Sequence, residues 1–264
     1  MQRNAIFLLF TILVILALVG CGGTETEAPD TESAVGAATQ APQPSDTPEP
    51  ESPVAVEAQS AGMPSPTPTP EADPRVELGG ADWVASFGED TSQTWGLFDT
   101  EQGKVEMEPD ELVLTAKTAN SFDVWSMSYP VLENFYMEIT GTSGEMCSGK
   151  DRYGPIVRAP DNNQGYLYQI SCDGMFTLRK WDGVAFTELI SWTPSQYIVP
   201  GPNQANRVGI MAEGANFSVY VNGFLVGEAV DETYDRGTFG ISIAATDTPG
   251  FTVTVTEVLY WELP

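Results

Sequence analysis

The chain has 264 residues, 42% of them apolar, enough for one sizeable folded domain together with segments that carry no core. Its 11 basic against 37 acidic side chains leave a net charge of −26, which excludes nucleic acid and anionic lipid surfaces as partners. It contains no histidine, so a Ser-His-Asp triad, a Cys-His dyad and a histidine-ligated zinc or iron centre are excluded as well.

The first element is a targeting segment. Arg3 precedes an apolar run over residues 5–19. About 15 residues is short for a bilayer-spanning helix and the size of a secretory h-region. The run ends in Leu18-Val19-Gly20-Cys21, which resembles the lipobox of bacterial lipoproteins, where the cysteine is lipidated and begins the mature chain. The resemblance implies a signal peptide over residues 1–20 and lipid on Cys21. It also implies a protein that touches the membrane through that anchor alone and faces outward from it. An uncleaved membrane anchor is the alternative. Gly22 does not resemble the aspartate that retains some lipoproteins at the inner membrane, and the choice of membrane stays open.

Residues 21–80 form the second segment. After the lipidated cysteine it has no Phe, Trp or Tyr, is rich in Pro, Glu, Thr, Ser and Ala, and ends in PSPTPTPEADP before Arg75. Such a composition cannot bury enough apolar surface to offset ordering entropy, so a disordered linker is expected. A stalk of roughly 60 residues would reach about 40 Å as a coil and well over 100 Å stretched.

Residues 81–264 then read as one all-β domain, a two-sheet antiparallel sandwich. Strand signals fall at 111–117, 135–140, 152–158, 166–171, 175–181, 207–212, 217–221, 224–230, 239–244 and 251–256, separated by short turn clusters. The run Phe251-Thr-Val-Thr-Val-Thr alternates as a half-buried strand should. Asn222-Gly223 suits a two-residue type I′ turn, which puts Phe217, Val219 and Val221 on the face of Phe224 and Val226. At Cys172-Asp173-Gly174 a three-residue loop with Gly174 left-handed fits better. It places Tyr166, Tyr168 and Ile170 on the face of Phe176, Leu178 and the stem of Lys180.

With Cys21 lipidated, Cys147 and Cys172 remain as an even pair, which in an exported chain reads as a disulfide. A catalytic thiol is the rival reading, and it finds no histidine base here. If 135–140, 152–158 and 166–171 run as a meander, the loops holding Cys147 and Cys172 fall at the same end of the sheet.

The runs YGPIVRAPDNNQGYLYQISCDGMFTLRKWDG, ISWTPS, NRVGIMAEGANFSVYVNGFLVGEAV and FTVTVTEVLYWEL resemble the concanavalin A-like jelly-roll modules. The likeness is to those related to 3-keto-disaccharide hydrolase and laminin-G-like domains, and it spans most of residues 82–261. It implies two antiparallel sheets, one of them concave, often with a carbohydrate-facing role.

Laminarinase-type hydrolases on this fold carry Glu-x-Asp-x-x-Glu on one strand. The nearest cluster here, Glu106-Met-Glu108-Pro-Asp110-Glu111, does not match that spacing, and Pro109 marks it as a solvated loop. The expectation is therefore a cell-surface module that recognises a glycan or polysaccharide without catalysis, acting as a monomer. Two alternatives stand beside it, a hydrolase of modified (3-keto) disaccharides and a protein-interaction or envelope-architecture module. Candidate ligand residues are Trp125, Tyr153, Arg158, Arg179, Trp181 and Trp192, since sugars stack on aromatic rings while polar groups take their hydroxyls. Asp161, Asp173, Asp231, Asp235 and Asp247 sit in loops and leave room for a structural calcium, without a recognisable ligand spacing.

Overall fold

The computed structural model describes residues 73–85, 87–88 and 94–264. The expected signal peptide, the lipidation site Cys21 and the linker up to residue 72 lie outside the described residues. A short helix, α1 (Pro74–Leu78), comes first. The strands follow as β1 (Trp83–Val84), β2 (Phe98–Asp99), β3 (Gly103–Glu108), β4 (Glu111–Ala116), β5 (Val124–Leu132), β6 (Phe135–Ser143), β7 (Arg152–Ala159) and β8 (Gly165–Ser171). After these come β9 (Met175–Trp181), β10 (Phe186–Pro194), β11 (Ala205–Glu213), β12 (Asn216–Val221), β13 (Phe224–Val230), β14 (Gly237–Ala244) and β15 (Phe251–Glu262).

These strands make two antiparallel sheets. One runs β13-β12-β11-β6-β15-β4-β3-β2, with β1 also paired to β15; the other runs β10-β9-β8-β7-β14-β5. Between them lies one continuous core that includes Phe135, Met137 and Ile139 of β6, Tyr166, Tyr168 and Ile170 of β8, and Phe239, Ile241 and Ile243 of β14. Alternation along each strand supplies these inward residues, as a pleated strand with one buried face requires.

Both hairpin expectations hold. Val221 pairs with Phe224 around Asn222 and Gly223, which have φ of 52° and 86° as a type I′ turn demands. Ile170 pairs with Phe176, leaving Cys172, Asp173 and Gly174 as the loop, with Gly174 at φ 81°. The rings of Tyr166 and Tyr168 accordingly face the core together with Phe176 and Leu178.

The expected meander is corrected. β7 and β8 do pair, but β6 lies in the other sheet between β11 and β15, so residues 144–151 cross from one sheet to the other. The crossing still delivers Cys147 to the end of the sandwich where Cys172 turns, and the two form a disulfide with Cα atoms 5.5 Å apart. Asp151 fixes the same corner: its Oδ1 accepts the backbone N–H groups of Thr246, Asp247 and Thr248 at 2.8, 2.9 and 3.1 Å. The acidic run is corrected too. Glu106 and Glu108 belong to β3 and Glu111 opens β4, with Pro109-Asp110 as the turn between them.

Residues 73–80, expected to be linker, are folded onto the outer face of the nine-stranded sheet. Asp73 caps α1 by accepting the N–H of Arg75, and Pro74 takes the first helical position, where its missing N–H costs nothing. Arg75 pairs with Glu138 and Glu257, while Arg207 pairs with Asp73. Beneath this strap sit Tyr136, Leu259 and Trp261, and the Trp261 indole donates to the Gly79 carbonyl at 3.0 Å. A bulge between Val255 and Glu257 turns Leu259 and Trp261 onto this face.

Candidate functional site

The outer face of the six-stranded sheet carries the site. Register fixes its members: Glu188 of β10 lies opposite Arg179 of β9, which lies opposite Leu167 of β8. One step along, Phe186 faces Trp181, and across the sheet Trp125 of β5 faces Ser242 of β14. Strand neighbours of these residues point into the core, so this face is built by the same alternation that builds the interior.

At its centre stands Asp123, in the loop that leads into β5. Its carboxylate, 1% exposed, accepts from three side chains: Arg152 through Nε and Nη2 at 3.2 and 2.9 Å, Gln169 Nε2 at 2.8 Å, and Arg179 Nη2 at 3.2 and 3.1 Å. Gln169 also donates to the Ser242 hydroxyl at 2.9 Å, and its Oε1 accepts from Arg179 Nη2 at 2.5 Å. Arg152 is further held by Ser121, Thr246 and the Lys150 carbonyl. A carboxylate taken out of water with two guanidinium groups is tolerable because both its oxygens and all the Arg152 nitrogens are hydrogen-bonded. Arg179 differs from Arg152 in one respect. Its Nη2 carries all its bonds, and among the described residues neither Nη1 nor the buried Nε has a partner. Burial pulls its guanidinium below its ordinary value, against the opposing attraction of Asp123.

Aromatic rings flank this network. Trp181 packs on Phe186 with ring centres 4.6 Å apart, and the Arg179 guanidinium lies 4.2 Å from the Phe186 ring. On the opposite side Trp125 donates its indole N–H to the Asn162 carbonyl at 2.9 Å, and Phe122 stands 69% exposed. Phe98, Thr100, Gln102, Phe122, Val124 and Trp125 line an open cleft of about 460 Å³ where the two sheets meet. By strand spacing, Trp125 and the β9 strand of Trp181 are about 19 Å apart across the sheet, room for several sugar rings.

Of the residues singled out by sequence, Arg179, Trp181 and Trp125 are on this face. Trp192 is partly exposed at the disulfide end, with the Lys150 ammonium 5.1 Å above its ring, about 13 Å along the sheet from Trp181. Tyr153 and Arg158 are interior residues, and their ligand role is corrected. Tyr153 is buried and donates to the Gly141 carbonyl at 2.9 Å, in a space that only glycine leaves, since a Cβ at 141 would lie 2.5 Å from its ring. Arg158 is 1% exposed, sits over the rings of Phe135 and Phe217, and donates to the carbonyls of Glu133, Gly214 and Tyr234. Asp123, Arg152, Gln169 and Phe186 were not foreseen. Asp123 stands two residues before Trp125 in FDVWSMSYP, and nothing in the sequence brings it to Arg152 or Arg179.

The loop aspartates do not converge. Asp161 accepts from the Asn163 N–H, Asp173 pairs with Lys150, Asp231 with Lys180 and Tyr166, and Asp247 with the Lys150 N–H. Among the described residues no group of three or more Cys, Asp or Glu side chains is placed to hold a metal ion.

No protein-family model matches the chain, and no curated protein matches its sequence. Solved structures do align with it. A native glycosidic hydrolase superposes with a TM-score of 0.50 at 11% identity, covering 69% of this chain and 96% of that one. The fold is a two-sheet antiparallel jelly roll. The beta-glucanase of Bacillus licheniformis aligns at 0.49 and 11% identity over 70% of this chain and 100% of that one. The carbohydrate-binding module CBM66 of Bacillus subtilis aligns at 0.48 and 17% identity over 64% and 92%. At such identities the likeness extends to the fold alone.

Proposed function

We propose that this concanavalin A-like domain binds a glycan on the outer face of its six-stranded sheet, without catalysis. The observation that carries the reading is the meeting on one face of partly exposed rings, Trp181, Phe186 and Trp125, with a guanidinium whose Nη1 has no partner among the described residues. Sugar rings stack on the former and sugar oxygens accept from the latter. The non-catalytic reading rests on Asp123. A glycosidase needs a carboxyl pair free to act on the scissile bond, and both oxygens of Asp123 are engaged by Arg152, Gln169 and Arg179.

The proposal extends to the rest of the chain. The LVGC run and the aromatic-free segment after it support a lipid on Cys21 and a stalk that carries the domain away from the membrane, facing outward. The test is binding of the unlipidated chain from residue 22 onward to a panel of polysaccharides, with and without calcium, with the solutions assayed for released reducing ends. Saturable binding without product supports the reading. Released sugar points to a hydrolase. Silence across the panel from a folded, oxidised chain points to a protein partner.

A further inference from the structure

We infer that the strap, residues 73–80, is a mechanical latch. Under load along the chain it lifts from the nine-stranded sheet as one piece, ahead of the sandwich, and lengthens the tether; the stalk proposed above enters only as the source of that load. The main-chain hydrogen bonds of the strap close on themselves. Val76 and Glu77 donate to the Asp73 carbonyl at 2.9 and 3.4 Å, and Gly79 donates to the Arg75 carbonyl at 3.2 Å. Main-chain pairing with the sheet starts beyond it, where the Asp82 N–H meets the Tyr260 carbonyl at 3.1 Å. What holds the strap down is side chains: Arg75 on Glu138 and Glu257, Arg207 on Asp73, the Trp261 indole on the Gly79 carbonyl, and Leu78 packed against the cluster of Tyr136, Leu259 and Trp261. That cluster is separate from the main core, so lifting the strap leaves the core closed.

The lifted state has partners of its own. Arg207 stands between two carboxylates, 2.5 Å from Asp73 and 3.8 Å from Glu138, so departure of Asp73 frees it to close on Glu138. Glu138 keeps the Tyr136 hydroxyl at 2.8 Å, and Glu257 keeps the Thr140 hydroxyl at 3.1 Å. Neither carboxylate is left bare when Arg75 leaves, as reversible opening requires. The hinge is Gly79-Gly80. A Cβ at either position would meet nothing within 4 Å, and Gly79 already has φ 76°, so the backbone turns there without a clash.

The load path meets the strap first. The strap lies on the outer face of the nine-stranded sheet, and the proposed ligand face is the outer face of the other sheet. Tension between the start of the chain and a held ligand therefore reaches Asp73 before it reaches β1. Pulled from that end, the attachments break in turn: Asp73 from Arg207, Arg75 from its two carboxylates, then the Gly79 carbonyl from Trp261. Behind them Trp83 packs on Phe239 of the core with ring centres 5.5 Å apart, so any further step opens the core itself. Extended at about 3.6 Å each, residues 73–80 supply at most about 29 Å of tether.

The experiment stretches single chains from residue 22 onward between the N-terminus and a handle on Val184→Cys, at the 85% exposed tip of the β9–β10 hairpin. The expected record has a small reversible step of at most about 29 Å at a lower force than the step that opens the sandwich. Arg75→Gln should shorten the lifetime of the first step at fixed force about tenfold and leave the second unchanged, as loss of charge-assisted bonds would give. The same opening is read without force or substitution by trypsin, which cuts after Arg75 only where the strap is lifted. The rate of that cut follows the lifted population, so it should rise far less steeply with urea than cuts within the sandwich, whose slope is that of global unfolding. A single step in which strap and sandwich yield together overturns the latch. So does a first step indifferent to Arg75→Gln, or a cut at Arg75 with the urea slope of global unfolding.

Discussion

Asp123, at the entrance to one edge strand of the six-stranded sheet, holds Arg179 of β9 through both carboxylate oxygens, at 3.2 and 3.1 Å, with β14, β7 and β8 lying between. The contact ties the Trp125 side of the site to the Trp181 side. Because Arg152 shares the same carboxylate, Asp123→Asn leaves two nearly buried guanidinium groups facing an amide. Its expected cost is about 3–5 kcal/mol, as for any buried ion pair that loses one partner. Urea unfolding at neutral pH measures it, and a midpoint near that of the wild type would show that the network contributes little.

The strap over the nine-stranded sheet is a second load on charge. A chain beginning at residue 81 loses Asp73 and Arg75, leaves Glu138 with the Tyr136 hydroxyl and with Arg207 at 3.8 Å as its one cation, and uncovers Tyr136, Leu259 and Trp261. It should be less stable than a chain beginning at residue 62 by about 3–5 kcal/mol. Superimposable urea curves would mean that residues 62–80 are linker after all.

The disulfide ties the crossing between sheets to the β8–β9 hairpin over a sequence separation of 25. Replacing Cys147 and Cys172 by alanine together should lower stability by about 3.5 kcal/mol on the chain-entropy estimate. Equilibrium unfolding of the double variant, and of the wild type with reductant, should agree. A loss below 1 kcal/mol, on the order of the smallest disulfide effects, would contradict that assignment.

Acid should act partly through Asp231. Burial pushes its carboxyl up, but hydrogen bonds from Lys180, Thr233 and Tyr166 outweigh burial and hold it below the usual carboxylate range. A group depressed in the folded state stabilises it fully above the unfolded value of about 3.9 and loses that contribution as pH falls further. Asp231→Asn should therefore cost about 1.5–3 kcal/mol at pH 7 and shallow the loss of stability between about pH 4 and pH 2. Unfolding free energies across that range would run parallel for the two proteins if Asp231 had no part in it.

What could be read from the sequence follows a physical line. Period-two alternation marks strands with one buried face, so β8, β9, β12, β13 and β15 were legible, and so were turns whose glycine and asparagine need positive φ. β10 escaped because it is an edge strand exposed along much of both faces and twice bulged, and β5 because Pro130 interrupts it at the opposite edge. Helix α1 is too short to show a period, although Asp73-Pro74 is a sound start signal. At the site, Arg179 and Trp181 were legible because one hairpin register fixes their side. Tyr153 and Arg158 were misread because a polar tip says nothing of depth. Arg158 is buried where three carbonyls from separate turns need a donor, a demand set by tertiary structure. Asp123 was invisible for the same reason, since its partners lie 29, 46 and 56 residues away.

The central claim is that ligand binds on the Arg179–Trp181 face. Its most direct test follows the indole N–H resonances of the six tryptophans during titration with the best-binding glycan of the panel. Trp181, whose indole N–H has no partner among the described residues, should shift most, with Trp125 second. Trp95 in the core and Trp261 beneath the strap should stay in place. Shifts confined to Trp261, or saturable binding that leaves Trp181 unmoved, would put the ligand elsewhere and contradict the account.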